Sequence, residues 1–281
     1  MTGRLADVEA RIGTVQKLGA VIRAMRGIAT ARVQEAHEQV EAIRAYAETI
    51  GDAIAEAMAL MPDPAPTGIS RDDRHHAVIV ITAEQGFAGT YNEQVFDAAT
   101  PLLDGPHDLF LVGDRGVLVA TERHRNPVWN DAMIVHPAQA VSLVTRMTDA
   151  LFRMMDTEEI ARVSVVHAMP TGVSGMEVVT RQLVPFDYAR FPLPGRRSAP
   201  MTTLPPARLL AQLVDEYIVA ELVEAVMLAF AAENVARMRA MIAAQDNVKD
   251  TTDTLVATSR RLRQEEITEE IVELAAGHSH R

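Results

Sequence analysis

One stretch of this sequence has the residue types and the placing of a phosphate loop. Glu84-Gln85-Gly86-Phe87-Ala88-Gly89-Thr90 follows a strand-like run and precedes a helix-like one. Backbone N–H groups at such a junction can cradle an anion. A P-loop also needs Lys and then Ser or Thr after its last glycine. Here Gly89 is followed by Thr90 and Tyr91, and the G-x-G-x-x-G of a dinucleotide site is absent. The glycines read as turn formers, and no cofactor is expected. Gly113-Asp114-Arg115-Gly116 reads as a strand-end turn in the same way.

Other chemistry is thinner still. His75-His76 precedes the first strand and His278 to His280 lies in the tail, and neither has a third ligand at metal spacing. No G-x-S-x-G, H-E-x-x-H or paired catalytic carboxylates occur in a fitting context. There is no cysteine, which excludes disulfides and thiolate chemistry. Arg260, Arg261 and Arg263 stand one turn before Glu265, Glu266, Glu269 and Glu270, a pattern that i,i+4 pairing on a helix accounts for.

The elements around these residues fall into three parts. Val8, Ile12, Val15, Gly19, Ile22, Arg26, Ala29, Val33, Ala36, Val40, Ile43, Ala47, Ile50 and Ile54 follow alternating steps of four and three. A second run is Met238, Met241, Gln245, Val248, Thr252, Leu255, Ser259 and Leu262. One apolar residue per 3.5 positions gives a seam that must face another helix. Residues 4 to 60 lack proline, and Pro62, Pro64 and Pro66 then forbid continuation. A helix of that span is roughly 80 Å long.

Between the seams, strand runs at Ala77–Thr82, Asp108–Val112, Arg162–Ala168 and Met176–Val184 alternate with helical segments at Asn92–Thr100, up to His124, and Ala138–Met155. The last two strands read as a hairpin through Thr171–Gly175. This order predicts an α/β domain with a largely parallel sheet and an antiparallel edge. Prolines from Pro192 to Pro206 mark a linker, after which helical periodicity runs to Ala276. The predicted domains are 1–61, 62–206 and 207–281.

The 281 residues carry a net charge of −11, which argues against a nucleic-acid binder. Arg4, Arg11, Lys17, Arg23, Arg26 and Arg32 form a local basic stretch, which suits either a solvated helix face or an acidic partner surface. Hydrophobic residues make up 48% and aromatics 4%, a balance that favours helix packing over a β-sandwich. No signal peptide and no transmembrane helix are expected.

The residues resemble a known family over nearly the whole chain, the gamma subunit of F-type ATP synthases. Arg11-Ile12-Gly13-Thr14-Val15-Gln16 through Arg32 is similar to that family's R-I-x-S-V-x-N-T-Q-K-I-T-K-A-M-x-M-V-A-A-S-K without a gap. Arg44-Ala45-Tyr46-Ala47-Glu48-Thr49 resembles R-P-Y-A-E-T, and Glu84 to Asn92 resembles D-R-G-L-C-G-G-F-N. Glu233 to Met241, Asp246-Asn247, and Arg263-Gln264 with Ile267-Thr268 and Glu270 resemble E-x-x-A-R-M-x-A-M, D-N and R-Q-x-x-I-T-x-E. Lys17-Leu18-Gly19-Ala20, Arg260 and Ile242 depart from the pattern. They resemble a divergent branch such as the alternative, N-type ATPases found beside ordinary F-type enzymes in some bacteria.

The resemblance implies a rotor subunit of the central stalk with no active site of its own. Its fold would be α/β plus a long antiparallel coiled coil formed by the two termini, with an inserted Rossmann-like domain. Partners would be the alpha and beta subunits, epsilon and the c ring, on the cytoplasmic face of the bacterial inner membrane. Rotor contacts would fall to Arg23 and Met25, facing an acidic beta loop, and to Arg237, Gln264, Thr268 and Glu270. Periodicity alone fits a static coiled-coil scaffold with a ligand-binding insert equally well.

Overall fold

The computed structural model describes residues 2–61, 75–156, 160–172, 175–192 and 201–278. The proline-rich linker segments 62–74 and 193–200, the hairpin tip Val173-Ser174 and the tail histidine His280 lie outside these. The elements in order are α1 (Thr2–Ala59), β1 (His75–Ile81), α2 (Tyr91–Leu103), β2 (His107–Val112) and α3 (Asp114–Glu122). There follow β3 (Trp129–Asp131), α4 (Ala140–Asp156), β4 (Ile160–Thr171), β5 (Gly175–Val184) and α5 (Pro206–His278). Single 3-10 turns stand at Pro137–Gln139 and Tyr188–Arg190.

Contacts divide the chain into two compact units, Met1–Ala29 with Met238–Arg281, and Thr30–Arg237. In the first unit the two seams are the sheltered faces of their helices. Ile22, Ala29, Met241 and Ser259 are buried, and no seam residue of this unit is fully exposed. The helices run in opposite directions, because Glu9 pairs with Arg263 and Arg26 with Gln245. At Gly19 a Cβ would stand 3.1 Å from Val248 Cγ1. A larger side chain at this position would crowd Val248.

The second unit is built on a five-stranded sheet in the order β3-β2-β1-β4-β5. β1 is parallel to β2 and β4, β2 is parallel to β3, and β5 is antiparallel to β4. Alternation along β1 divides the core. Ala77, Ile79 and Ile81 face α4 and the middle stretches of α1 and α5, while Val78 and Val80 face α2 and α3. Both faces of a largely parallel sheet are covered, so the strands read as continuous apolar runs.

The expected strands, their hairpin and the antiparallel edge are all present. β3 is an addition. Its three residues, Trp129–Asp131, are too short for any period to show in sequence. The Gly113–Gly116 segment is also more than a turn, because α3 begins at Asp114. Its glycines let α3 pack tightly against β1. A Cβ at Gly116 would lie 2.1 Å from Thr82 Oγ1, and Gly113 holds φ of 102° against the Thr82 carbonyl.

Candidate functional site

The loop that leaves β1 lies in the second unit, and its first residues, 83–86, are held by side chains or backbone of several elements. Ala83 N–H donates to Asn92 Oδ1 at 2.9 Å, which ties the loop to the first turn of α2. The Glu84 carboxylate accepts from Met133 N–H at 2.8 Å and Asp114 N–H at 3.2 Å. It therefore gathers the ends of β1, β2 and β3. Left-handed backbone occurs at Phe87 (φ 64°) and Gly89 (φ 60°). Gly89 tolerates this at no steric cost, whereas Phe87 is strained and is 67% exposed.

α5 supplies the other side of this loop. Glu233 accepts from the N–H groups of Glu84 at 3.4 Å and Gln85 at 3.3 Å. Arg237 donates to the carbonyls of Gln85 at 3.1 Å and Gly86 at 3.2 Å, to Asn234 Oδ1 at 3.0 Å, and to Glu233 itself. Both side chains of the pair are 4% exposed. Burial pushes the Glu233 carboxyl above its ordinary value, and Arg237 and the two loop N–H groups pull against that. Tyr91 donates to the Ala229 carbonyl at 3.3 Å, and its hydroxyl is raised well above the usual range by burial. From α1, Arg32 reaches Gln85 Oε1 at 3.4 Å.

The residues singled out by resemblance are distributed unevenly. Arg23 is exposed and lines an open groove of about 480 Å³ with Gly19, Gln245, Asp246 and Lys249. Met25 is half-buried. Two positions apart on a helix, Arg23 and Met25 point about 200° from each other and share no face. Gln264 and Thr268 are exposed one turn apart on one face, and Thr268 Oγ1 donates to the Gln264 carbonyl at 2.8 Å. Glu270 is exposed but about 120° round the helix from Gln264. Arg237 differs from all of these, since it is buried with its donors spent inside the chain.

Two features escaped the sequence reading. Glu233 shows in sequence only as a motif letter, because the loop N–H groups it accepts from lie 149 and 148 positions away. Leu18, Val21 and Ile28 are more than half exposed and form, with Met25, a second apolar stripe at steps of three, four and three. That spacing was available in sequence beside the seam it borders.

Two buried histidines serve structure. His76 Nε2 lies 2.9 Å from Ser164 Oγ in a buried pair between β1 and β4. His167 is buried on β4, where loss of hydration lowers its pKa to about 4. Among the described residues no group of three His, Cys, Asp or Glu could hold a metal ion. No described helix is long and apolar enough to cross a membrane.

Comparison with known proteins covers nearly all of the chain. The sequence model of a family described as ATP synthase matches residues 4–279. An ATP synthase gamma chain of Parafrankia sp. is 30% identical over 295 residues, covering 99% of this chain and 97% of the relative. One from Frankia casuarinae is 29% identical over 290 residues, covering 99% and 97%. Among solved structures, a chain of the Euglena gracilis mitochondrial ATP synthase, OSCP/F1/c-ring, has a TM-score of 0.70 at 13% identity, covering 99% of this chain and 95% of that one. A chain of the rotor of the same enzyme has a TM-score of 0.64 at 12% identity, covering 95% and 100%.

Proposed function

The chain belongs to the ATP synthase family, as a gamma chain of the central stalk, and on that premise we propose that it is a rotor with no active site of its own. Its terminal helices, residues 1–61 and 207–281, form a left-handed antiparallel coiled coil inside a hexamer of alpha and beta subunits. Its Rossmann-like domain, residues 62–206, stands beside epsilon on the c ring. Ion flow turns the ring, the shaft turns with it, and each catalytic site of the hexamer is driven through its binding states in turn. The coupling is a difference in contact free energy between shaft angles. Through the ring the subunit is held at the cytoplasmic face of the bacterial inner membrane.

The observation that carries this reading is the pairing of opposite ends of the chain along two seams of 3.5-residue period. Such a pair leaves outer faces free to touch a surrounding sleeve. Arg23, Met25, Gln264, Thr268 and Glu270 lie on those faces and make the rotor contacts. Arg237 contributes from inside, by holding the loop after β1. The loop where a nucleotide would sit is occupied by the chain's own side chains, which supports a subunit without catalysis.

Co-expression with alpha, beta, epsilon and c subunits tests the proposal. The tagged chain should bring down all four as one large assembly. A chain that purifies alone, with active alpha and beta assembled without it, overturns the rotor reading and leaves the scaffold reading.

A further inference from the structure

Doubly wound sheets receive their ligands outside the carboxyl ends of the strands, where strand order reverses. In this sheet the reversal lies at β1. The chain passes from β1 outward through β2 and β3, and then returns to place β4 and β5 on the other side. The loop Ala83–Thr90 leaves β1 at that point. An anion bound there would be held by loop N–H groups.

Those N–H groups already have an anion. The donors of Glu84 and Gln85 both point at Glu233, one to each carboxylate oxygen. The loop's carbonyls are equally engaged, since Gln85 and Gly86 both accept from Arg237. One buried ion pair on α5 therefore takes both polarities of the loop backbone. An external phosphate would meet the Glu233 charge in its place.

We propose that the site after β1 carries a built-in ligand: the Glu233 carboxylate fills its anion seat, and Glu233 with Arg237 fastens α5 to the loop. A buried ion pair is an expensive way to gain stability, and replacement by apolar groups is often neutral or better. Its value here is in specifying one docking position, because only a carboxylate followed one turn later by a guanidinium matches the loop's donors and acceptors. The pair lies at the end of α5's course through this unit, whose last residue is Arg237. Gln85 is gripped from α1 as well, through Arg32. The mechanical consequence rests on the rotor reading: torque borne by α5 passes to the sheet through this fastening. Glu233 and Arg237 are positioning residues.

The test uses the full chain and does not depend on assembly. In Glu233→Ala, amide hydrogen exchange of residues 84–87 should quicken about tenfold or more, while exchange within β2 is unchanged. Sodium formate, a carboxylate small enough for the vacated space, should restore slow exchange, and sodium chloride at the same concentration should not. If the alanine variant fails to fold, Glu233→Gln keeps the shape without the charge and should quicken the same amides without affecting β2. Unchanged exchange at residues 84–87, or a rise shared with β2 that formate does not reverse, overturns the inference. Either result leaves the rotor reading standing, which fails only if the partner subunits do not co-purify.

Discussion

Arg26 donates to Gln245 across 3.0 Å, joining the single charged member of the first seam to a polar member of the second. A polar pair in an otherwise apolar seam costs stability and fixes register. Seven residues along α1, Gly19 faces Val248, whose Cγ1 would stand 3.1 Å from an added Cβ. Together these layers define one alignment of the two helices.

The double variant Arg26→Leu with Gln245→Leu should therefore be more stable to urea and less precise. The natural chain has no cysteine, so introduced pairs report register directly. Gly19→Cys with Val248→Cys should cross-link in both backgrounds. Gly19→Cys with Leu255→Cys, one heptad away, should cross-link only in the leucine background. Cross-linking confined to the first pair in both would refute the register role.

Glycines in this chain divide by what surrounds them. A Cβ at Gly13 or Gly27 of α1 would meet nothing within 4 Å. Each change to alanine should stabilise by ~0.5–1 kcal/mol through helix propensity. Gly116→Ala should instead cost about 1–3 kcal/mol by overpacking Thr82. Urea unfolding of the three variants measures both signs.

His167 predicts acid sensitivity. Its pKa falls from 6.5 to about 4 on folding, so between those values the unfolded chain binds more protons than the folded one. The stabilising contribution is complete above pH 6.5 and is lost as pH falls towards 4, up to about 3 kcal/mol. His76 is lowered in the same direction, chiefly by burial. His167→Gln should flatten the stability profile between pH 6.5 and 4. An unchanged slope in thermal unfolding across that range would contradict the assignment.

On the rotor reading, Gln264→Ala with Thr268→Ala removes two exposed polar groups from one face of α5 and leaves the seam intact. The variant should assemble normally and lose at least half of its coupled ATPase or synthase rate. Wild-type rates in a fully assembled complex would exclude a catch role for this face.

Met25→Lys should lower the ions pumped per ATP. The change inserts a charge into the exposed Leu18–Val21–Ile28 stripe. Coupling efficiency measured in proteoliposomes should fall while hydrolysis continues. Normal pumping would remove this stripe from the coupling path.

Much of this architecture is legible in sequence because it is periodic. The 3.5-residue seams mark sheltered helix faces down to single positions such as Ala29, Ala36 and Ile54. The apolar runs mark β1 and β2 because buried parallel strands need apolar residues on both sides. β3 is not legible, since three residues hold no period. The role of Arg237 is not legible either. Motif matching places it among outward contacts, but its side chain turns inward to carbonyls 151 and 152 positions away. Non-local pairing leaves no trace in local spacing, and the same reason hides Glu233 beneath a loop that reads only as a failed phosphate site.

The sheet ends unequally. On one side it closes with the three residues of β3, too few to recruit another strand. On the other, β5 extends for ten residues, with no strand partner beyond it among the described residues. An open edge of that length is a template for aggregation when a chain is made in excess of its partners. The exposed Glu177, and Pro185 immediately after the strand, discourage a second copy from adding itself there. Orphaned chains are thereby protected from joining edge to edge before assembly.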